Sequence, residues 1–223
     1  MNIHGIIFDR DGTILDITET FYHFILWKAS LIGIQLPNRE TIIKNLYNEH
    51  FWIELSGGNF TFRSIVNEHF YEIPREFLQY SKPYPGLKNS LQILYDSGVK
   101  MILTSSWSAT EKTKGILKKH EMLDYFTYVF TADDVSKITN IYQTKLELMS
   151  KSFSILGTNP DKTVVVGDTY QDVRVGKELG VKTIGVLTGS SLFRKKFQNL
   201  KPDLIIDSAA NLPEVLNPLS EKQ

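Results

Sequence analysis

A short apolar run that ends in two carboxylates constrains this chain more than any other feature. Residues 3–13 read Ile3-His4-Gly5-Ile6-Ile7-Phe8-Asp9-Arg10-Asp11-Gly12-Thr13. Ile6-Ile7-Phe8 is apolar without alternation, the pattern of a parallel strand covered on both faces. The acids then fall where that strand ends, the place at which open α/β sheets bind ligands. In extended backbone, residues i and i+2 point the same way, so Asp9 and Asp11 can serve one site. Gly12 permits the sharp exit such a site needs. Asp-Gly is also an ordinary turn pair, so this stretch alone admits a purely structural reading.

The texture changes after Ile17. Residues 18–80 are rich in aromatics, among them Phe21, Phe24, Trp27, Trp52, Phe62 and Phe77. Phe21, Phe24, Ile25 and Lys28-Ala29 recur at helical spacing, and Thr41–Leu55 and Phe62–Phe70 also read as helices. The segment is an insert of three or four helices whose large side chains form its own small core. Gly57-Gly58 is either a loop that reaches a substrate or a turn, and Arg63 is a candidate for contact with a second anionic group. Lys82-Pro83-Tyr84-Pro85-Gly86 marks the return to the main body.

Strands and helices then alternate. Strands are expected at Val99–Leu103, Tyr128–Phe130, Thr163–Val166, Thr183–Leu187 and Leu204–Ile206. The intervening helices are Leu87–Asp96, Ser108 to about His120, Thr144–Leu156 and Gln171–Leu179, with Ala209–Leu216 last. Ser108-Ala109-Thr110-Glu111 has the spacing of a capping box. This order predicts an α/β protein: a Rossmann-like, doubly wound parallel sheet core over 1–15 and 84–223, with an inserted α-helical subdomain over 16–83.

Composition narrows the function classes. With 42% hydrophobic and 22% charged residues in 223, a packed core is expected. The formal net charge of +0 argues against a nucleic-acid surface, and Arg194-Lys195-Lys196 reads as a solvated helix face. With 0 Cys there is no disulfide framework and no thiolate metal site, which fits the cytoplasm. No apolar run is long enough for a membrane span. With a strand expected almost at once, no cleavable signal is expected.

Three further groups sit at strand ends or helix starts. Thr104-Ser105-Ser106 offers hydroxyls and backbone N–H groups ahead of a helix, which makes either a phosphate seat or a turn before an N-cap. Gly167-Asp168-Thr169-Tyr170-Gln171-Asp172 follows a buried strand. Asp168 there is costly unless paired or metal-bound. Asp172 could face the same metal or favour the helix dipole. Lys145 stands out only through the pattern that follows.

Together these residues resemble the haloacid dehalogenase superfamily of phosphohydrolases, in its phosphoglycolate-phosphatase-like branch. Asp9-Arg10-Asp11-Gly12-Thr13 matches the first motif. Ser105, or Thr104 in its place, matches the second, a hydroxyl at a strand end. Lys145, 23 residues before Asp168, matches the third. Gly167, Asp168 and Asp172 match the fourth. Arg10 departs from the apolar residue usual between the two acids; an Arg there also occurs in relatives acting on sugar or histidinol phosphates. The Lys145 neighbourhood lacks the Lys-Pro-x-Pro form common in the branch. The resemblance implies a helical cap over 16–83 and a phosphatase acting on a small phosphorylated metabolite. Asp9 would be its nucleophile and Asp11 its acid–base. Ser105, Ser106 and Lys145 would hold the phosphoryl oxygens, and Asp9, the Asp11 carbonyl, Asp168 and Asp172 would hold Mg²⁺. A β-phosphoglucomutase-type mutase and a catalytically silent phosphoester-binding protein are the alternatives. A monomer or homodimer without nucleic-acid or membrane partners is expected.

Overall fold

The computed structural model describes residues 3–137, 140–189 and 199–216. The basic run Arg194-Lys195-Lys196 lies outside them. The chain forms two compact units, one of residues 17–81 and the other of the remainder.

The larger unit is built on six parallel strands: β1 (Gly5–Asp9), β4 (Lys100–Thr104), β5 (Tyr128–Phe130), β6 (Thr163–Gly167), β7 (Lys182–Val186) and β8 (Leu204–Ile206). They lie in the order β5-β4-β1-β6-β7-β8. The chain moves outward from β1 to one edge, then returns to β1 and moves to the other edge. This is the Rossmann-like, doubly wound order, and its topological switch point lies beside β1. A second ladder joins β2 (Leu15–Asp16) to β3 (Lys82–Pro83), antiparallel, where the insert leaves and rejoins this unit.

Both faces of the sheet are covered, which is why its strands are apolar without alternation. Ile7, Ile102 and Val165 pack with Leu148, Met149 and Leu156 of α7 (Ile141–Leu156) and with Val175 of α8 (Tyr170–Glu178). Ile6 and Phe8 point to the opposite face and are also fully buried; the Phe8 ring meets Phe126 edge to face. This unit also contains α5 (Leu87–Asp96), α6 (Thr110–Lys119) and α9 (Leu212–Leu216).

The start of α6 differs from the expected capping box. Ala109 occupies the N-cap position with φ 94° and offers no side-chain oxygen. The cap comes from Asp133 instead, whose Oδ2 accepts from the N–H groups of Ala109 and Thr110 at 3.0 Å each. Burial alone would raise the Asp133 carboxyl, but these bonds and the Thr110 hydroxyl hold it down at about 2.

The smaller unit contains α1 (Thr18–Ile32), α2 (Arg39–Lys44), α3 (Glu49–Leu55) and α4 (Phe62–Glu68), then a π-helical turn at Ile73–Phe77 and a 3₁₀ turn at Leu78–Tyr80. The stretch Thr41–Leu55 reads as one helix by periodicity but is two. The Asn48 side chain accepts from Phe51 N–H and donates to Asn45 Oδ1, closing one helix and capping the next. The aromatics form the unit's core: Trp52 is fully buried and donates to the Leu46 carbonyl, and Phe21 meets Phe62 and Tyr47 edge to face. Gly57 and Gly58, both at positive φ, close a turn after α3, and Arg63 is exposed. No described helix is long and apolar enough to cross a membrane.

Candidate active site

Every group that converges on the switch point starts from a strand end or an adjacent helix. Asp9 closes β1 and is 3% exposed. Asp168 follows Gly167, the last residue of the neighbouring β6. Asp172 lies in the first turn of α8, and Lys145 in the early turns of α7. The Lys145 ammonium donates to Asp9 Oδ1 at 2.7 Å and to Asp172 Oδ1 at 2.5 Å, and all three side chains are almost completely buried. Asp172 also accepts at Oδ2 from the Thr169 N–H and hydroxyl, so it caps α8 while it faces Lys145. Carboxylate oxygens of Asp9, Asp168 and Asp172 lie within 4.8 Å of one another.

Glycines make room for the acids. A Cβ on either Gly12 or Gly189 would overlap the Asp168 carboxylate, and one on Gly167 would overlap that of Asp172. Gly12, at φ 81°, also turns the chain back, so that its N–H reaches the Leu15 carbonyl at 2.8 Å. The Thr188 hydroxyl donates to the Gly12 carbonyl at 2.7 Å and fastens the segment after β7 to this loop. Among the described residues, Asp168 Oδ1 and the Thr13 hydroxyl are buried without a hydrogen-bond partner.

The Asp11 side chain takes its partners from outside this cluster. Its Oδ1 accepts from Arg10 Nε at 2.9 Å, and its Oδ2 accepts from Arg10 Nη2 at 2.8 Å and from the Ser105 hydroxyl at 3.1 Å. Ser105 is thus joined to the second acid, and its Oγ also accepts from Trp107 N–H. Thr104 faces elsewhere, donating to the Phe8 carbonyl at 2.9 Å and tying β4 to β1. Ser106 is half-buried in the bend after Ser105. Arg10, marked in the sequence only as a departure from pattern, is fully buried.

Among the described residues, three buried carboxylates face one ammonium, a local excess of negative charge. Burial pushes the Asp9 carboxyl up to about 7, with repulsion from Asp172 adding and Lys145 opposing. Burial and the charges of Asp9 and Asp172 likewise raise Asp168 well above the carboxylate range. Burial works against the Lys145 charge, but Asp172 and Asp9 hold its ammonium above its ordinary value. An all-oxygen donor set with an unpartnered carboxylate oxygen suits a hard divalent cation. The same arrangement places the Asp9 carboxylate beside the Lys145 ammonium, with a second carboxylate, Asp11, two residues on.

Comparison with known proteins gives the family of the chain. Residues 6–186 match the model of the haloacid dehalogenase-like hydrolases. The chain is 24% identical to the pyrophosphatase PpaX of Halalkalibacterium halodurans, with 97% of this chain and 98% of the relative covered. It is 25% identical to the phosphoglycolate phosphatase of Aquifex aeolicus, with 95% and 96% covered. A solved structure from Clostridium acetobutylicum, titled a predicted phosphatase, superposes with a TM-score of 0.71 at 20% identity over 98% of this chain and 100% of that one. With a family match that spans the sheet from β1 to β7 and takes in every acid of the buried cluster, the chain belongs to the haloacid dehalogenase-like hydrolases.

Proposed function

We propose that this hydrolase is a Mg²⁺-dependent phosphatase that cleaves a small phosphomonoester through an aspartyl-phosphate on Asp9. The observation that carries the reading is the Lys145 ammonium, buried between Asp9 and Asp172 with Asp168 alongside. A purely structural core gains little from three carboxylates around one cation, because each buried charge costs several kcal/mol unless paired. The relatives named pyrophosphatase and phosphoglycolate phosphatase support a small phosphorylated substrate.

In this scheme Asp9, Asp168, Asp172 and the Asp11 main-chain carbonyl hold Mg²⁺, which supplies positive charge against the phosphoryl oxygens. Lys145, Ser105 and Ser106 bind those oxygens. An Asp9 oxygen attacks phosphorus, the ester P–O bond breaks, and Asp11 gives its proton to the departing oxygen. Water then attacks the same phosphorus, Asp11 takes its proton, and the bond to Asp9 breaks to release phosphate. The helical insert selects the leaving group. We place this activity in the cytoplasm, on a monomer or homodimer.

Phosphate release from a panel of phosphoesters that includes 2-phosphoglycolate and pyrophosphate, with Mg²⁺ and with chelator, tests the reading. Release that depends on Mg²⁺ is the expected result; no release from any member overturns it. Gly189→Ala probes the metal seat. Its new Cβ displaces Asp168, so half-maximal activity should require about tenfold more Mg²⁺, the scale on which support of a metal ligand is lost. An unchanged Mg²⁺ response would remove Asp168 from the metal set.

A further inference from the structure

Arg10 is a charged side chain in a place where charge is expensive. It is 0% exposed, and burying a cation costs several kcal/mol unless its hydrogen bonds are met. Here they are met in a directed way. Nε and Nη2 form a fork on the two oxygens of Asp11, and Nη1 donates to the Thr113 hydroxyl at 2.6 Å. Thr113 Oγ1 in turn donates to the Ala109 carbonyl at 2.9 Å, which aims its lone pair at the guanidinium. The Trp107 ring lies 6.0 Å from the guanidinium carbon. The Arg10 backbone is equally constrained: its N–H donates to the Thr104 carbonyl, and its own carbonyl accepts from Ile14 and Leu15. Asp11, by contrast, keeps a side-chain exposure of 19%. A rigid, buried cation thus presents a carboxylate at the surface of the site.

We propose that Arg10 is a positioning residue: its fork, anchored by Thr113, sets the direction of the Asp11 carboxylate for proton transfer. The inference rests on the reading of Asp11 as the acid–base. The fork engages both Asp11 oxygens and is held from behind by a residue 103 positions along the chain. The fork matches a carboxylate bidentately and so fixes its plane, which a point charge cannot do.

Dependence on the leaving group separates positioning from mere stability. The ratio kcat/KM covers the steps through departure of the leaving group. An alkoxide needs a proton to depart, whereas p-nitrophenolate departs without one. Arg10→Ala should therefore lower kcat/KM about 10–100-fold for the alkyl phosphate that wild type hydrolyses fastest, the range that misplacement of a catalytic group costs. For p-nitrophenyl phosphate the ratio should stay within about threefold, since proton donation contributes little there. Arg10→Lys keeps the charge without the fork and should recover only part of the loss. Thr113→Val, nearly isosteric, removes the anchor together with its bond to the Ala109 carbonyl and should produce a selective loss of about fivefold, the scale of one hydrogen bond. Should Arg10→Ala not fold, the Thr113 variant carries the test. Equal losses on both esters, or no loss on either, with wild type active, would overturn the inference and leave the phosphatase reading standing. A wild type active on p-nitrophenyl phosphate but on no alkyl phosphate would overturn the inference alone, and one that releases phosphate from no ester would overturn both.

Discussion

Asp9→Asn should leave a folded chain whose phosphate release falls by about 10⁴-fold or more, as when a covalent nucleophile is removed from a catalytic unit. The amide keeps the shape of the carboxylate, so β1 and its neighbours need not move. It cannot attack phosphorus, so no aspartyl-phosphate forms and the scheme has no second route. The same variant should be more stable than wild type once metal is chelated. The Asp9 carboxyl is pushed up from the ordinary 3.8 to about 7 because its charge is buried beside Asp172. The folded state therefore holds this proton more tightly than the unfolded state does. In that case stability falls as pH rises between about 4 and about 7. Asp9→Asn has no such proton to lose. Its melting temperature in chelator should match wild type near pH 4, pull ahead as pH rises and exceed it most clearly at pH 7.5. Turnover within tenfold of wild type would end the nucleophile assignment. A lower melting temperature at pH 7.5 would contradict the charge balance described for the site.

The sheet was legible because its strands are buried on both faces. Ile6-Ile7-Phe8 and Val164-Val165-Val166 carry no polar alternation, and each ends in an acid that the core would not otherwise tolerate. Asp9 and Asp168 thereby announce a strand end and a polar site at once, and the structure brings them together because β1 and β6 are neighbours in register. Periodicity could not show where helices break inside the insert. The interruption between α2 and α3 depends on side-chain bonds of Asn45 and Asn48, which compete with the helical backbone without disturbing the apolar repeat.

Long-range partners were illegible for a related reason. The cap of α6 comes from Asp133, 23 residues beyond Thr110, so local spacing pointed to Ser108 instead. Lys145 reaches Asp9 across 136 residues of chain, and nothing in its own helix distinguishes it from the solvated lysines nearby. Only the resemblance to a family pattern singled it out. The choice between Thr104 and Ser105 as the hydroxyl facing the acids turned on strand direction. Thr104 lies within β4 and spends its hydroxyl on the Phe8 carbonyl, whereas Ser105, one residue on, reaches Asp11. Arg10 was visible as an anomaly, but the fork it makes with its own neighbour depends on a side-chain path that composition and spacing do not encode.

Lys145→Met tests the other half of the site, and its effects should be large in both stability and rate. Met has a similar length and no charge, so it fills the space between Asp9 and Asp172 while withdrawing their shared cation. Removing one partner of a buried ion pair costs about 3–5 kcal/mol, because the remaining charges stay buried without compensation. For a chain of this length that corresponds to a fall of about 6–20 °C in melting temperature, measured in chelator. Mg²⁺ should restore part of it by taking the place of the missing charge. The loss should also deepen as pH rises, since Asp9 and Asp168 must ionise without an ammonium to meet them. Turnover with Mg²⁺ should fall about 10²–10³-fold, the effect of removing one preorganised charge from a developing transition state. Lys145→Arg separates the two roles. It retains the charge, so most of the stability should return. Its planar fork is too broad to sit where a compact ammonium makes bonds of 2.7 and 2.5 Å, so the rate should not return. Recovery of the rate with Arg would reduce Lys145 to a charge balance and leave phosphoryl contact to Ser105; a Met variant as stable and as fast as wild type would remove Lys145 from the site altogether.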